Sequence, residues 1–215
     1  MSAEPVNLWS DSEHAKEYLS RRASFPWRDT AYQHLMELLS PAPRRVLDLG
    51  SGDGQVVGRV VDAYPAVEAI ACDFSPEMLG RARERFADVT AVTVVEHDLD
   101  DPLPQAWGAF DAIVSAFAIH HVVDDRKRAL YGEVFDHLAP GGVFCNLEHV
   151  ASPTPELHEA FLSVLGQTLA DDDPSNKLAL TEAQLSWLRD IGFEQVDCFY
   201  KWREIGLLAG VKPSA

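Results

Sequence analysis

From Arg45 onward, short apolar runs rich in β-branched residues alternate with segments whose apolar positions recur at helical spacing. The runs are Val46–Leu49, Val67–Cys72, Ala91–Glu96, Phe110–Phe117 and Val143–Leu147; the helical segments are Gln55–Tyr64, Pro76–Phe86 and Arg126–Leu138. Strand alternating with helix predicts an α/β protein with a parallel sheet covered on both faces and right-handed crossovers. Two helix starts carry chemical signals. Ser75-Pro76-Glu77 offers a capping hydroxyl, a proline at the first helical position and an acid in the first turn. Thr181-Glu182-Ala183-Gln184 has capping-box spacing, and Gly192 supplies a stop. Near the end of the chain, Glu194–Tyr200 and Glu204–Val211 are strand-like runs separated by a few residues. So short a link predicts an antiparallel hairpin, because parallel neighbours need a long crossover.

Two segments fall outside the alternation. Ser12–Arg22 and Trp27–Leu39 read as amphipathic helices split by Phe25-Pro26, with Pro41 and Pro43 closing the segment. Ser152–Lys177 holds a helical stretch, Glu156–Leu169, and the loop Asp171-Asp172-Asp173-Pro174-Ser175-Asn176. Both are expected to cap the open end of the sheet.

A chain of 215 residues with a formal net charge of −16 is a poor match for DNA, RNA or an anionic membrane surface. Arg81, Arg83 and Arg85 cluster, but Glu77, Glu84 and Asp88 share their stretch, which reads as a solvated helix face. No apolar run is long enough to span a bilayer, and Met1–Trp9 lacks a signal-peptide pattern, so a cytoplasmic protein is expected. Three cysteines, Cys72, Cys145 and Cys198, lie apart in apolar runs, which predicts buried free thiols rather than a disulfide framework or zinc site.

The chemistry concentrates in Val46-Leu47-Asp48-Leu49-Gly50-Ser51-Gly52-Asp53-Gly54, a strand followed by a glycine turn that opens a helix. Ligands of open α/β sheets sit at the carboxyl ends of strands, where strand order reverses. Dinucleotide sites prefer Gly-x-Gly-x-x-Gly; here the third glycine comes one residue early, at Gly54, and Gln55 takes the dinucleotide position. Asp48 and Asp53 suit an ammonium or sulfonium cation better than a pyrophosphate. Asp73, ending the second strand, is placed to accept hydrogen bonds from both hydroxyls of a ribose. Asp98 and the backbone amide of Leu99, after the third strand, are placed to read an adenine edge.

These segments, with Ala71–Ser75, Phe110–Ser115 and Leu138-Ala139-Pro140-Gly141-Gly142-Val143, make the sequence resemble the class I S-adenosylmethionine-dependent methyltransferases, in particular the small-molecule subgroup of methyltransferase types 11 and 12. The resemblance covers roughly Arg45 to Val211. It implies a Rossmann-like, doubly wound, mostly parallel seven-stranded sheet with an antiparallel C-terminal strand and a helical cap. It also implies S-adenosyl-L-methionine as cofactor and a small-molecule methyl acceptor. Gly50, Ser51, Gly52 and Gly54 would pass beneath the methionine part, with Asp48 near its ammonium. Asp73 would hold the ribose, Phe74 and Met78 would flank the adenine, and Asp98 and Leu99 would read its edge. Ser115 would line the sulfonium side. A single domain over 1–215 is expected: a helical cap at 1–43, a cofactor-binding half at 44–151, a lid insertion at 152–180 and a C-terminal helix and hairpin at 181–215.

Methyl transfer needs a base only when the acceptor keeps its proton at neutral pH. His120, His121 and Glu148, past the ends of strands four and five, are the candidate catalytic residues, with His120 preferred and His149 beside them. No pair among them has metal-ligand spacing, so no metal is expected. Tyr18 and Arg22, one helical turn apart, could reach the cofactor carboxylate or the acceptor. Trp9, Phe25, Trp27, Tyr32, Tyr200 and Trp202 suggest a partly apolar acceptor. A monomer or a homodimer fits equally. A nicotinamide-dependent oxidoreductase and a non-catalytic partner that keeps the fold are the alternatives.

Overall fold

The computed structural model describes Glu13, residues 27–39 and residues 43–214. The helix read at Ser12–Arg22, with Tyr18 and Arg22, and the residues Trp9 and Phe25 lie outside the described residues, Glu13 excepted.

Seven strands form one sheet: β1 (Arg45–Leu49), β2 (Glu68–Asp73), β3 (Val92–Glu96), β4 (Phe110–Ala116), β5 (Leu138–His149), β6 (Glu194–Trp202) and β7 (Ile205–Val211). Their spatial order is β3-β2-β1-β4-β5-β7-β6. The first five run parallel, while β7 pairs antiparallel with both β5 and β6. This is the expected Rossmann-like arrangement, and the order reverses between β1 and β4.

Among the described residues the α-helices of eight or more residues are α1 (Arg28–Leu38), α2 (Gln55–Ala63), α3 (Pro76–Arg85), α4 (Asp124–His137), α5 (Pro155–Val164) and α6 (Thr181–Ile191). On one face, Ala31, Tyr32 and Leu35 of α1 and Val56 and Val60 of α2 pack onto Val46, Val114, Cys145 and Leu207. Val57 of α2 meets Phe86, just past α3, over Ala69 and Ala71. On the other face, Leu130, Tyr131 and Val134 of α4 and Leu188 of α6 cover Leu47, Ile113 and Phe144. The central strands are buried on both faces, so β1 and β4 are mostly apolar, with Asp48 in β1 and Asp111 and Ser115 in β4 among the polar exceptions.

Both expected capping signals need correction. Ser75 does precede α3, but its hydroxyl is buried without a partner; the Asp73 carboxylate accepts the Ser75 amide instead, at 2.8 Å. Thr181 is the first helical residue of α6 rather than its cap, and Leu180 holds the cap position. Strand β5 begins five residues earlier than its apolar run, and its pairing with β4 shifts register between Phe110 and Ala112. Cys72 and Cys145 are buried, but Cys198 is only partly covered, on β6, where its thiol faces the Tyr200 carbonyl at 3.1 Å. The segment between β5 and α6 leaves and rejoins the sheet at one place, through a parallel bridge between Ala151 and Leu180.

Candidate cofactor and acceptor site

The glycine turn follows β1 directly. Gly50, Gly52 and Gly54 all adopt positive φ, at 64°, 56° and 79°. A Cβ on Gly50 would lie 2.2 Å from the Ala118 Cβ, and one on Gly54 2.3 Å from the Phe86 ring. Gly54 is therefore a packing residue at the cap of α2, and it does not line the cavity. A Cβ on Gly52 would meet only the Met78 sulfur, at 3.9 Å, and would stand in the cavity.

That cavity encloses about 880 Å³ out to its open mouth, above the carboxyl ends of β1, β2 and β4. Of the residues expected at the cofactor, Asp48, Gly50, Ser51, Gly52, Asp73, Phe74, Met78, Asp98 and Leu99 line it. Ser115 does not: it is fully buried, and its hydroxyl donates to the Leu49 carbonyl at 2.8 Å, tying β4 to β1.

Asp73 is held by two backbone amides, Gly52 on one oxygen and Ser75 on the other, each at 2.8 Å. Burial still holds its carboxyl above the ordinary value; the amides of Ser75, Gly52 and Phe74 oppose the shift and the Asp98 charge adds to it. Asp48 is buried, and neither of its oxygens makes a hydrogen bond of ordinary geometry. Burial pushes it up to about 8; the backbone of Val57 pulls the other way and the Asp73 charge adds to the rise. The Ser51 hydroxyl and His97 Nε2 are also buried without partners. Asp98 accepts the Asp100 amide at 3.0 Å on one oxygen.

The catalytic candidates separate. His121 lines the cavity, whereas His120 and Glu148 lie behind it, out of the lining. His120 Nδ1 and Glu148 Oε1 are 2.6 Å apart, in a buried pair. Burial drives the His120 ring well below its ordinary value and pushes Glu148 up to about 7. The pair continues inward: Asn146 Nδ2 reaches Glu148 at 3.5 Å and donates to the Tyr131 hydroxyl, which donates to Gln184 at 2.6 Å. His149 turns away, to Glu204 at 2.9 Å, and His158 of α5 meets the same carboxylate at 3.0 Å. Among the described residues, no group of three or more His, Cys, Asp or Glu is arranged to hold a metal.

Several lining residues carry no signal in the sequence. Arg28, at the start of α1, reaches the cavity with its guanidinium 4.9 Å from the Phe117 ring centroid and 5.6 Å from that of Tyr32. Phe117 holds φ 58°, a left-handed conformation that a bulky side chain adopts at a cost of about 1–3 kcal/mol. Its amide donates to the Leu147 carbonyl at 2.8 Å, which fixes the ring between the cavity and Trp27, 5.1 Å away. From Trp27 the ring contacts run through Trp202 and Phe161 to His149.

Fold and site together define a doubly wound α/β protein with an acid-lined crevice at its topological switch point. Residues 46–142 match the family model described as a methyltransferase domain. The chain is 30% identical over 191 residues to a demethylmenaquinone methyltransferase of Clavibacter sepedonicus, covering 80% of this chain and 75% of that one. It is 36% identical over 136 residues to the protein of the same name from Thermus thermophilus, covering 63% of this chain and 59% of the relative, so it spans about three-fifths of that relative's length. An O-methyltransferase family protein from Burkholderia thailandensis shares the fold, with a TM-score of 0.70 and 22% identity over 99% of this chain and 65% of that one. The chain belongs to the class I S-adenosylmethionine-dependent methyltransferase family.

The residues present fit that family's cofactor. A buried carboxyl group without a hydrogen bond of ordinary geometry, Asp48, would be ionised by a cation beside it, and S-adenosylmethionine carries an ammonium and a sulfonium. The cradle at Gly52 leaves room for a ligand against the backbone.

Proposed function

We propose that this chain catalyses S-adenosylmethionine-dependent methylation of a small molecule, in the cytoplasm, as a monomer or homodimer and without a nucleic-acid partner. The observation that carries this reading is Asp48, desolvated at the cavity wall and lacking a hydrogen bond of ordinary geometry, with Asp73 held by two amides beyond it. A nicotinamide dinucleotide would place no ammonium against Asp48. Asp73 would hold the ribose, Asp98 and the Leu99 amide the adenine edge, and Phe74 and Met78 its faces. Arg28 would face the cofactor carboxylate. When bound, the cofactor supplies a methyl group on a sulfonium leaving group. The protein supplies alignment and exclusion of water, which together can lower a barrier by several kcal/mol.

The aromatic series Phe117, Trp27, Trp202 and Phe161 supports a planar, partly apolar acceptor, a class to which the demethylmenaquinone of the relatives' names belongs. The segment 152–180 would act as the lid over this acceptor space. The net charge of −16 supports the absence of a nucleic-acid partner. Among the described residues, no helix is long and apolar enough to cross a membrane.

Calorimetric titration with S-adenosylmethionine and, separately, with NAD⁺ tests the reading. Binding of the former, lost in Asp73→Ala, supports it; binding of NAD⁺ in its place overturns it.

A further inference from the structure

His121 is the histidine of the pair that lines the cavity, and its Nδ1 is held from a distant part of the chain. Ser175 Oγ lies 3.0 Å from that nitrogen, and the Ser175 carbonyl 3.5 Å from it. Ser175 is buried, and its hydroxyl donates to Asp173 Oδ1 at 2.7 Å; its amide donates to the same oxygen at 2.8 Å. The direction of these bonds is determined. A carboxylate only accepts, so the serine hydrogen points to Asp173. The hydroxyl lone pairs and the carbonyl then face His121, and both require a donor there. Nδ1 therefore carries the hydrogen, and the lone pair of the neutral ring sits on Nε2.

The loop is fixed to the histidine turn by further bonds. The Lys177 amide donates to the His120 carbonyl at 2.8 Å, and Lys177 Nζ donates to the His121 carbonyl at 2.6 Å. Lys127 Nζ donates to the Lys177 carbonyl. This arrangement has the logic of an oriented base: a carboxylate, a relay hydroxyl and the imidazole of a residue that lines the cavity.

Resting on the methyltransferase reading for what the cavity holds, we propose that Ser175 and Asp173 are positioning residues that lock His121 in its Nδ1–H tautomer, making Nε2 the base for an acceptor that is still protonated at neutral pH. The acceptor class is then a hydroxyl, an amine or an acidic C–H, rather than a thiolate or carboxylate that arrives ionised. The proton passes to Nε2 and the electron pair stays on the acceptor atom. Three titratable groups bear on the ring: His120, tilted against it with ring centroids 4.0 Å apart, Asp173 and Lys177; the Ser175 backbone adds a hydrogen bond. Burial and His120 lower its affinity for a proton, and Asp173 raises it.

The experiment is nitrogen NMR of the histidine rings in the full chain, alone and with S-adenosylhomocysteine, with His121 assigned by the signal lost in His121→Gln. The wild type should show a protonated Nδ1 and an unprotonated Nε2 at His121 at neutral pH. Ser175→Ala and Asp173→Asn should each lose that fixed pattern and lower the pH at which the ring titrates, while Ser175→Thr, which keeps the hydroxyl, should retain it. Unchanged thermal unfolding separates this from misfolding. A wild-type ring protonated on Nε2, or one whose tautomer is unmoved in both Ser175→Ala and Asp173→Asn, overturns the proposal. The readout needs no acceptor, and failure to bind S-adenosylmethionine would instead count against the proposed function.

Discussion

Gly50 and Ala118 touch so closely that a side-chain carbon on the glycine would stand 2.2 Å from the alanine methyl. The contact joins the turn after β1 to the turn after β4, across the point where strand order reverses. Gly50→Ala should therefore lose stability twice, through left-handed strain of about 1–2 kcal/mol and overpacking of about 1–3 kcal/mol. It should also weaken cofactor binding, because Phe117 and Ala118 line the cavity. Gly52→Ala meets no such neighbour. Its melting temperature should fall only by the strain, while affinity drops at least about tenfold, as about 1.4 kcal/mol of lost contact implies. Thermal unfolding and calorimetry on the two variants read the difference.

Asp48 makes the site's energetics depend on pH. Its folded carboxyl sits at about 8, far above its ordinary 3.8, so its contribution to stability is fully present below 3.8 and is lost as pH rises toward about 8. Asp48→Asn should be more stable than wild type at alkaline pH, by about 3 kcal/mol, with the gap closing in acid. Cofactor binding should release a proton at neutral pH as the ammonium ionises Asp48, and Asp48→Asn should release none. Calorimetry in buffers of different ionisation enthalpy measures this; equal proton release by both proteins would disprove it.

Glu148 is the hinge of a buried polar chain. Glu148→Ala would leave His120 without its partner and take a contact from Asn146. A loss of about 3 kcal/mol is expected in chemical denaturation. Glu148→Gln should lose less, since its amide oxygen can still accept from His120. Equal losses would mean that cavity formation, not polar pairing, dominates there.

Glu204 receives His149 and His158 together, and His158 also lies 3.4 Å from Asp172. Burial opposes ionisation of Glu204, but the hydrogen bonds of His149, Ser152 and His158 prevail and hold it below its ordinary range. Its contribution is thus present above the ordinary glutamate range and is lost as pH falls through its lowered value. Glu204→Ala should speed hydrogen exchange in α5 several-fold and leave the amides of β1 and β4 unchanged.

The frame was legible because the central strands are buried on both faces, so their apolar runs and the glycine turn follow from local chemistry. Asp73, Asp98 and the turn itself lie on the elements the pattern defines. What escaped depends on distant contacts. Ser115 reads as a site residue by its place at a strand end, yet its side chain faces Leu49. Arg28 enters the cavity only because α1 packs over β5 and β7, and Phe117 only because a hydrogen bond to Leu147 forces its backbone. The run Asp171–Asp173 resembles any solvated acidic loop; its bond to His121 through Ser175 spans 54 residues of chain.

Strand β7 follows the other six strands in chain order and is among the most enclosed: Ile205–Ala209 is buried, with β5 on one side and β6 on the other. Until it arrives, β5 presents an unpaired edge from Val143 to His149, and β6 has no place in the sheet. Synthesis of this protein thus delivers the cofactor crevice early but seals the sheet late. A nascent chain stalled before residue 205 should be a holdase client, protected over β1–β4 yet exposed along β5.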